Sequence, residues 1–129
     1  MSSNLKFIGT VHSNLKALDD CPLQESENAP EAVVEIFSEF KEGIRDLKPG
    51  SKIVVLTWLH QADRSVLKCY PGREYQAPEI GVFSTRSPDR PNPIGLHETS
   101  VVSISAQKIT VSALEALDGT PVLDIKPKL

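Results

Sequence analysis

The 129-residue sequence lacks the long apolar stretches that mark membrane and secreted proteins. Its longest apolar run, residues 53–59, is seven residues long and includes a threonine, whereas a membrane helix needs about 20. The N-terminal segment MSSNLKFIGTV holds no apolar stretch long enough for a signal peptide, so we expect a cytoplasmic protein without a membrane partner. The chain length predicts a single domain over residues 1–129.

Glycine and cysteine are too dispersed for the common cofactor motifs. No two of the seven glycines lie closer than seven positions, which excludes the GxGxxG dinucleotide fingerprint and the GxxxxGK[ST] phosphate loop. The two cysteines, Cys21 and Cys69, form no CxxC pair and have no histidine at ligand spacing, so no metal site is predicted. The glycine-loop nucleotide folds, including the Rossmann sheet, are therefore disfavoured.

Positive charge is also in short supply, since 14 basic and 17 acidic residues give a net charge of −3. That balance does not indicate general nucleic-acid binding. The charge is uneven, however, because residues 64–90 contain five arginine or lysine residues, which could form a basic face for phosphate. A solvated surface of mixed charge explains the same pattern equally well.

Strand signals dominate the sequence. Apolar or alternating runs predict strands over residues 5–11, 32–37, 52–59, 80–85, 100–105, 108–114 and 122–125. A break at Ala106-Gln107 predicts a hairpin, and one short helix is expected over 39–47, capped by Ser38 and ended by Pro49-Gly50. Many short strands with little helix predict a mainly β fold, a small single-domain β-barrel or sandwich with one or two short helices.

Three polar stretches are candidates for a functional site. Residues 81–95, GVFSTRSPDRPNPIG, hold two arginines in a loop that prolines stiffen, which lowers the entropy lost when the loop grips a carboxylate or phosphate. His60-Gln61 follows the longest apolar run, and DGTPVLD at 118–124 begins with a turn-forming Asp-Gly pair. Each stretch also has a plain structural explanation, namely a rigid connector, a hydrogen-bonded histidine and a hairpin turn.

A resemblance to a known family lies in four segments that occur in the same order: IGTVHSNL (8–15), VVLTWLHQAD (54–63), GVFSTRSPDRPNPIGL (81–96) and LDGTPVLDIKP (117–127). On these segments the sequence closely resembles the TrmO/YaeB-like family. The resemblance implies an S-adenosylmethionine-dependent methyltransferase built on a small β-barrel, which forms a homodimer with the cofactor near the subunit interface. It also implies tRNA as partner, because characterised members methylate N6 of threonylcarbamoyladenosine at position 37, in the anticodon loop.

The matching segments carry the family's site residues onto this sequence. The resemblance implies that the cofactor is bound by His60, Gln61, Arg86, Leu96, Asp118, Gly119, Thr120 and Pro121, with Gln24 as a further contact from the N-terminal loop. For substrate binding we expect Arg90, Asn92, Arg73 and Tyr75, the last two in the YPGREY loop. The general base is left open between His60 and Asp118, and the role of Arg86 between cofactor and substrate.

The sequence departs from the family pattern at His12, Asn14 and Lys128, where arginine, proline and tyrosine are common. It also ends at Leu129, whereas many members continue into a second domain that helps to hold tRNA, so it resembles a short form of the family. Two other functions therefore stay open. One is methyl transfer to a different, small substrate by the same fold, and the other is binding of cofactor or RNA without turnover.

Overall fold

The computed structural model describes residues 4–15, 29–70 and 75–129. The strands in these ranges are β1 (Gly9–His12), β2 (Ala32–Ile36), β3 (Lys52–Trp58), β4 (Lys68–Cys69), β5 (Ile80–Gly81), β6 (Ile94–Ser105), β7 (Lys108–Val111) and β8 (Pro121–Pro127). Two 3-10 helices lie between them, at Ser38–Ile44 and Val82–Ser84. No helix within the described ranges is long and apolar enough to cross a bilayer.

Six of the strands close into a barrel in the order β1-β2-β7-β6-β3-β8, while β4 and β5 pair as a separate ribbon. Every pairing in the barrel is antiparallel, so β1, β3 and β7 end where β2, β6 and β8 begin. We call this the upper end; the segments 13–31, 59–93 and 112–120 leave and re-enter the barrel there. The prediction of a mainly β protein without a Rossmann sheet is confirmed.

The barrel interior is aliphatic. Along β3, Ile53, Val55 and Thr57 are buried and the residues between them are more exposed, as the two-residue period of a strand requires. The buried cluster consists of Val11, Ala32, Val34, Ile36, Ile53, Val55, Val101, Ile109, Val111, Leu114, Ala116 and Val122. None of these side chains is aromatic. Trp58, the last residue of β3, is half-buried and lies outside the cluster, near the upper end.

The run 80–85 differs from its prediction as a strand. Only Ile80–Gly81 is extended, and Val82–Ser84 forms a 3-10 helix. The Thr85 hydroxyl donates to the carbonyl of Val82 at 2.8 Å, and the backbone N–H of Thr85 donates to the same oxygen at 3.0 Å. Local hydrogen bonds of this kind compete with strand pairing, which explains why the β-branched composition misleads here.

The segment after β2 also differs in detail. The helix expected over 39–47 is a 3-10 helix over Ser38–Ile44, and its N-cap is Phe37, without a side-chain capping bond. The assignment of Ser38 as N-cap is therefore wrong; its hydroxyl instead donates to Gln107 Oε1 at 3.4 Å, at the turn between β6 and β7. That hairpin turn is confirmed, with Ala106 at a φ of 55°.

β6 begins much earlier than the predicted residue 100. Its first half, Ile94–Ser100, pairs residue by residue with Lys52–Trp58 of β3. The strand could not be recognised from the sequence because it follows a proline-rich stretch. Proline lacks the N–H that pairs in a sheet, so residues next to it are predicted as a loop. The long β3–β6 pairing fixes where the loops at the upper end start.

Candidate functional site at the upper end of the barrel

The topology places three segments that carry residues predicted from the family resemblance at the upper end of the barrel. His60-Gln61 comes directly after β3, Arg86 lies in the segment that leads into β6, and Asp118–Thr120 precedes β8. The three strands are neighbours in the barrel, and Thr57 of β3 pairs with both Gly95 of β6 and Val122 of β8. The segments that carry these residues therefore leave or enter the barrel next to the end of β3.

The DGTP turn is fastened to the end of β1. The backbone N–H of Asp118 donates to Leu15 O at 2.7 Å, and Asp118 Oδ1 accepts from the N–H of Ser13 at 3.0 Å. Gly119 has a φ of 89°, a conformation that favours glycine, and its N–H donates to Val11 O at 2.8 Å. The turn closes no hairpin, because β8 pairs with β1 and β3 rather than with β7.

The next two residues of the turn anchor it in the barrel. Thr120 is buried, and its hydroxyl donates to Leu117 O at 2.7 Å, while Pro121 begins β8 opposite Thr10. Asp118 and Gly119 remain exposed. The turn thus presents an oriented carboxylate and backbone to solvent from a rigid base.

An open depression of about 590 Å³ lies beside this turn. Its lining residues are His12, Ser13, Asn14, Glu31, Ala32, Val33, Thr110 and Asp118. His12 Nε2 lies 2.7 Å from Glu35 Oε1, so the histidine that departs from the family pattern is held by a carboxylate of β2. Carboxylates at the rim of a depression favour a positively charged group.

His60 and Gln61 project from the upper end as exposed residues. The segment that carries them is held against the proline-rich stretch, since the N–H of Leu59 donates to Pro93 O at 2.8 Å. The N–H of Asp63 donates to Asp89 Oδ1 at 2.9 Å. The position of the His60-Gln61 pair therefore depends on the segment that precedes β6.

The two arginines of the segment 85–93 are used differently. Arg90 Nη1 donates to the carbonyls of Thr85 and Ser87, each at 2.9 Å, so this guanidinium holds its own loop in shape. Arg86 is exposed, and its side chain makes no hydrogen bond or ion pair within the described residues. Of the two, Arg86 is available for a ligand, and substrate binding by Arg90 stays a prediction.

Two further predicted site residues, Leu96 and Tyr75, lie on the outer surface. Leu96 is 42% exposed on the outside of the barrel, opposite Leu56. Tyr75 is 70% exposed and its ring meets that of Tyr70 edge-on, with centroids 5.5 Å apart. Gln24 and Arg73 lie outside the described residues.

The structure gives defined contacts to Ser13, which sequence reasoning missed, and to Arg64, which ends the polar stretch HQADR (60–64) after β3 that the sequence offers as a candidate. Ser13 orients Asp118 through its N–H, and its hydroxyl donates to Ala116 O at 2.8 Å. Arg64 contacts the segment 85–93, including Asn92 Oδ1 at 3.2 Å. Ser13 lies in the matched segment 8–15, whereas Arg64 lies one position beyond the matched segment 54–63, and both contacts join residues that are remote in sequence. Within the described ranges, no three His, Cys, Asp or Glu residues are grouped to hold a metal ion.

The carboxylate of Asp63 accepts two hydrogen bonds that lower its pKa. Hydrogen bonds from the side chain and then the backbone of Ser65 to its Oδ1 hold the pKa of Asp63 below the ordinary 3.8. In Ser65→Ala we expect the pKa to rise toward that value, as measured by carbon-detected NMR titration. Any stabilisation from this carboxylate is present at neutral pH and is lost as the pH falls through the lowered pKa. An unchanged titration in the variant would contradict this account.

Residues 10–129 match the family model of the tRNA-methyltransferase O N-terminal domain. The chain belongs to this family. Its fold is similar to that of the crystal structure of TrmO from Pseudomonas aeruginosa, with a TM-score of 0.77 and 29% sequence identity. The match covers the whole of this chain and 57% of the TrmO chain. The predicted resemblance to the TrmO family is therefore confirmed.

Two relatives from Archaeoglobus fulgidus show how this domain occurs in proteins of different length. An S-adenosyl-L-methionine-binding protein is 40% identical over 122 residues, which covers 95% of this chain and 86% of the relative. A probable S-adenosyl-L-methionine-binding protein is 39% identical over 127 residues, which covers 98% of this chain but 34% of the relative. The chain therefore spans about a third of the longer relative and somewhat more than half of the TrmO structure.

Proposed function

We propose that this protein is an S-adenosylmethionine-dependent methyltransferase that modifies tRNA, at N6 of threonylcarbamoyladenosine in position 37. The observation that supports the proposal is that the segments carrying His60-Gln61, Arg86 and the DGTP turn all leave or enter a TrmO-family barrel at its upper end.

The expected cofactor is confirmed by the names of the relatives and by the family, which is one of tRNA methyltransferases. The residues of the upper end fit its chemistry. S-adenosylmethionine carries an ammonium and a sulfonium charge, for which Asp118 and Glu31 at the depression supply carboxylates. Its carboxylate would suit the exposed guanidinium of Arg86, whose planar fork matches a carboxylate.

When bound, the cofactor supplies an electrophilic methyl group, and the chain's task is to orient the acceptor and accept its proton. We assign the general base to Asp118 rather than to His60. Asp118 Oδ1 is held by the N–H of Ser13 at 3.0 Å, whereas the His60 side chain makes no hydrogen bond or ion pair within the described residues. A base of fixed orientation loses less entropy in reaching the acceptor proton.

For the acceptor we propose contacts from the segments that flank β4 and β5. Exposed anticodon-loop bases are recognised by stacking and by edge contacts, which Tyr75 can provide with its 70% exposed ring. Arg73, Arg90 and Asn92 are the further substrate residues of this proposal. A tRNA substrate implies a cytoplasmic location.

We also propose a homodimer with the cofactor near the subunit interface. Leu96 and Ile94 are 42% and 46% exposed on the outside of β6, close to the loops of the upper end. Pairing of such apolar surface between two copies would bring Leu96 of a protomer to the edge of the site. Native mass spectrometry tests the assembly directly.

The proposal is tested in two steps. Titration calorimetry with S-adenosylmethionine is expected to show one site per chain, and labelled methyl groups are expected to pass to tRNA that carries threonylcarbamoyladenosine but not to tRNA without it. Binding together with transfer to a small acceptor only would favour the second candidate, since the chain spans little more than half of TrmO. No binding by a folded sample would overturn the methyltransferase assignment.

Arg86→Ala is expected to weaken S-adenosylmethionine or tRNA affinity by about tenfold or more, because a hydrogen bond to a charged group contributes about 1.5–3 kcal/mol. The melting temperature should not change, since Arg86 is exposed. Arg45→Ala is the matched control, because Arg45 is 75% exposed and contacts only Asp46, at 3.9 Å, within the described residues. Calorimetry and filter binding with both ligands distinguish the two roles, and unchanged affinities for both would remove Arg86 from the site.

A further inference from the structure

The segment that carries His60 and Gln61 is tied to the segment before β6 by the side chain of Arg64. Its Nε donates to the carbonyl of Pro91 at 2.7 Å, and its Nη2 donates to Asn92 Oδ1 at 3.2 Å. Its Cζ lies 5.1 Å from the centroid of the Trp58 ring. One guanidinium therefore contacts the end of β3 and the proline-rich stretch at the same time.

The prolines explain why the N–H donors between these two segments come from the segment that carries His60 and Gln61. Pro91 and Pro93 have no N–H, so the proline-rich stretch offers mainly acceptors to its neighbour. The N–H of Leu59 donates to the carbonyl of Pro93 at 2.8 Å, and the carbonyl of Pro91 accepts from the Arg64 side chain at 2.7 Å. An arginine suits this place because its planar fork can donate in two directions while its face stacks on an aromatic ring.

We infer that Arg64 is a positioning residue that fixes the His60-Gln61 segment relative to the Arg86 segment and thereby keeps the cofactor site in a binding-competent shape. The inference rests on the proposed function for the identity of the ligand. The role assigned to Arg64 is positioning rather than ligand contact, because its Nε and Nη2 donate to Pro91 and Asn92. A site that is held in shape before binding loses less entropy on binding.

The barrel itself does not depend on Arg64. β3 and β6 are joined by pairing from Lys52 to Trp58, which ends before the loop begins. An exposed cation over an aromatic ring contributes little to global stability. Loss of Arg64 should therefore show in ligand affinity and in local loop order rather than in the melting temperature.

The molecule contains its own reporter of this contact. Trp58 is the single tryptophan of the sequence, so intrinsic emission comes from the ring under the guanidinium. In Arg64→Ala the emission maximum and intensity should change in the absence of any ligand. In Arg45→Ala, which removes a distant exposed arginine, the emission should equal that of the wild type.

The test compares wild type, Arg64→Ala, Arg64→Lys and Arg45→Ala by melting temperature, tryptophan emission and calorimetry with S-adenosylmethionine. We expect about tenfold weaker binding in Arg64→Ala and no full rescue by lysine, which keeps the charge but not the fork. Full rescue by lysine, or unchanged emission and affinity in Arg64→Ala, would overturn the inference. If the alanine variant fails to fold, Arg64→Lys alone decides between these results.

Amide hydrogen exchange separates failure of this inference from failure of the proposed function. The N–H groups of Leu59 and Asp63 donate to Pro93 and Asp89 across the two segments. If the wild type does not bind S-adenosylmethionine, the proposed function fails, and the inference is then judged by exchange at these two amides. Faster exchange in Arg64→Ala supports the tie between the segments, and unchanged exchange overturns it.

Discussion

Replacing Gly95 by alanine is expected to destabilise the protein by about 2–5 kcal/mol, a large fraction of the stability of a small domain. Gly95 is a buried residue of β6 with no room for a methyl group. An added Cβ would lie 2.7 Å from His97 Nε2 and 3.2 Å from Leu59 Cδ2, and it would also clash with Thr57 Oγ1.

The neighbours of Gly95 cannot move away cheaply. Thr57 is fully buried and His97 is 4% exposed, and their Oγ1 and Nε2 atoms form a hydrogen bond of 2.8 Å. Displacing either side chain leaves a buried polar group poorly satisfied, which costs about 1–3 kcal/mol in addition to overpacking. The glycine of the RPNPIG segment is therefore required by packing against a buried polar pair.

Gly81→Ala is the matched control for this prediction. Gly81 is also a strand residue, and nothing lies within 4 Å of a Cβ added there. Thermal and urea unfolding should show a melting temperature lower by roughly 10 °C or more for Gly95→Ala and little change for Gly81→Ala. Equal stability of the two variants would mean that the Thr57–His97 pair yields to the methyl group without cost.

Much of the barrel could be predicted from hydrophobic patterning. The run 52–59 indicates a strand because its apolar residues are nearly continuous, and Lys52–Trp58 is indeed the strand that pairs with both β6 and β8. The hairpin at Ala106-Gln107 was equally readable. By contrast, the start of β6 at Ile94 follows directly on prolines, and its strand character comes from pairing with Trp58.

The candidate site could be predicted only in part. His60-Gln61 and the DGTP turn are found because they occur in matched segments, and the closed topology then places them at one end. The contacts that hold the site residues in place cannot be predicted from local sequence. Arg64 is 27 positions from Pro91, and Ser13 is 105 positions from Asp118. Such contacts depend on the fold, because an arginine or a serine in the sequence does not indicate which distant residue it will contact.

Asp118→Asn is expected to lower the rate of methyl transfer by about 10²-fold or more while the protein stays folded, because a positioned general base contributes about 10²–10⁴-fold. Asparagine keeps an oxygen to accept the Ser13 N–H, which donates to Asp118 Oδ1 at 3.0 Å. It removes the charge and the ability to take a proton while the contact with Ser13 is kept. The fall should appear in single-turnover rates at saturating cofactor, where differences in affinity do not contribute.

Two further variants make this prediction decisive. Asp118→Ala removes both the charge and the acceptor for Ser13, so it should lower the melting temperature as well as the rate. His60→Gln tests the other titratable candidate, and we expect it to change cofactor affinity more than the single-turnover rate. The opposite pattern, a normal rate in Asp118→Asn and a large loss in His60→Gln, would transfer the proton-accepting role to His60. Normal rates in both would mean that the base comes from the substrate or from a second subunit.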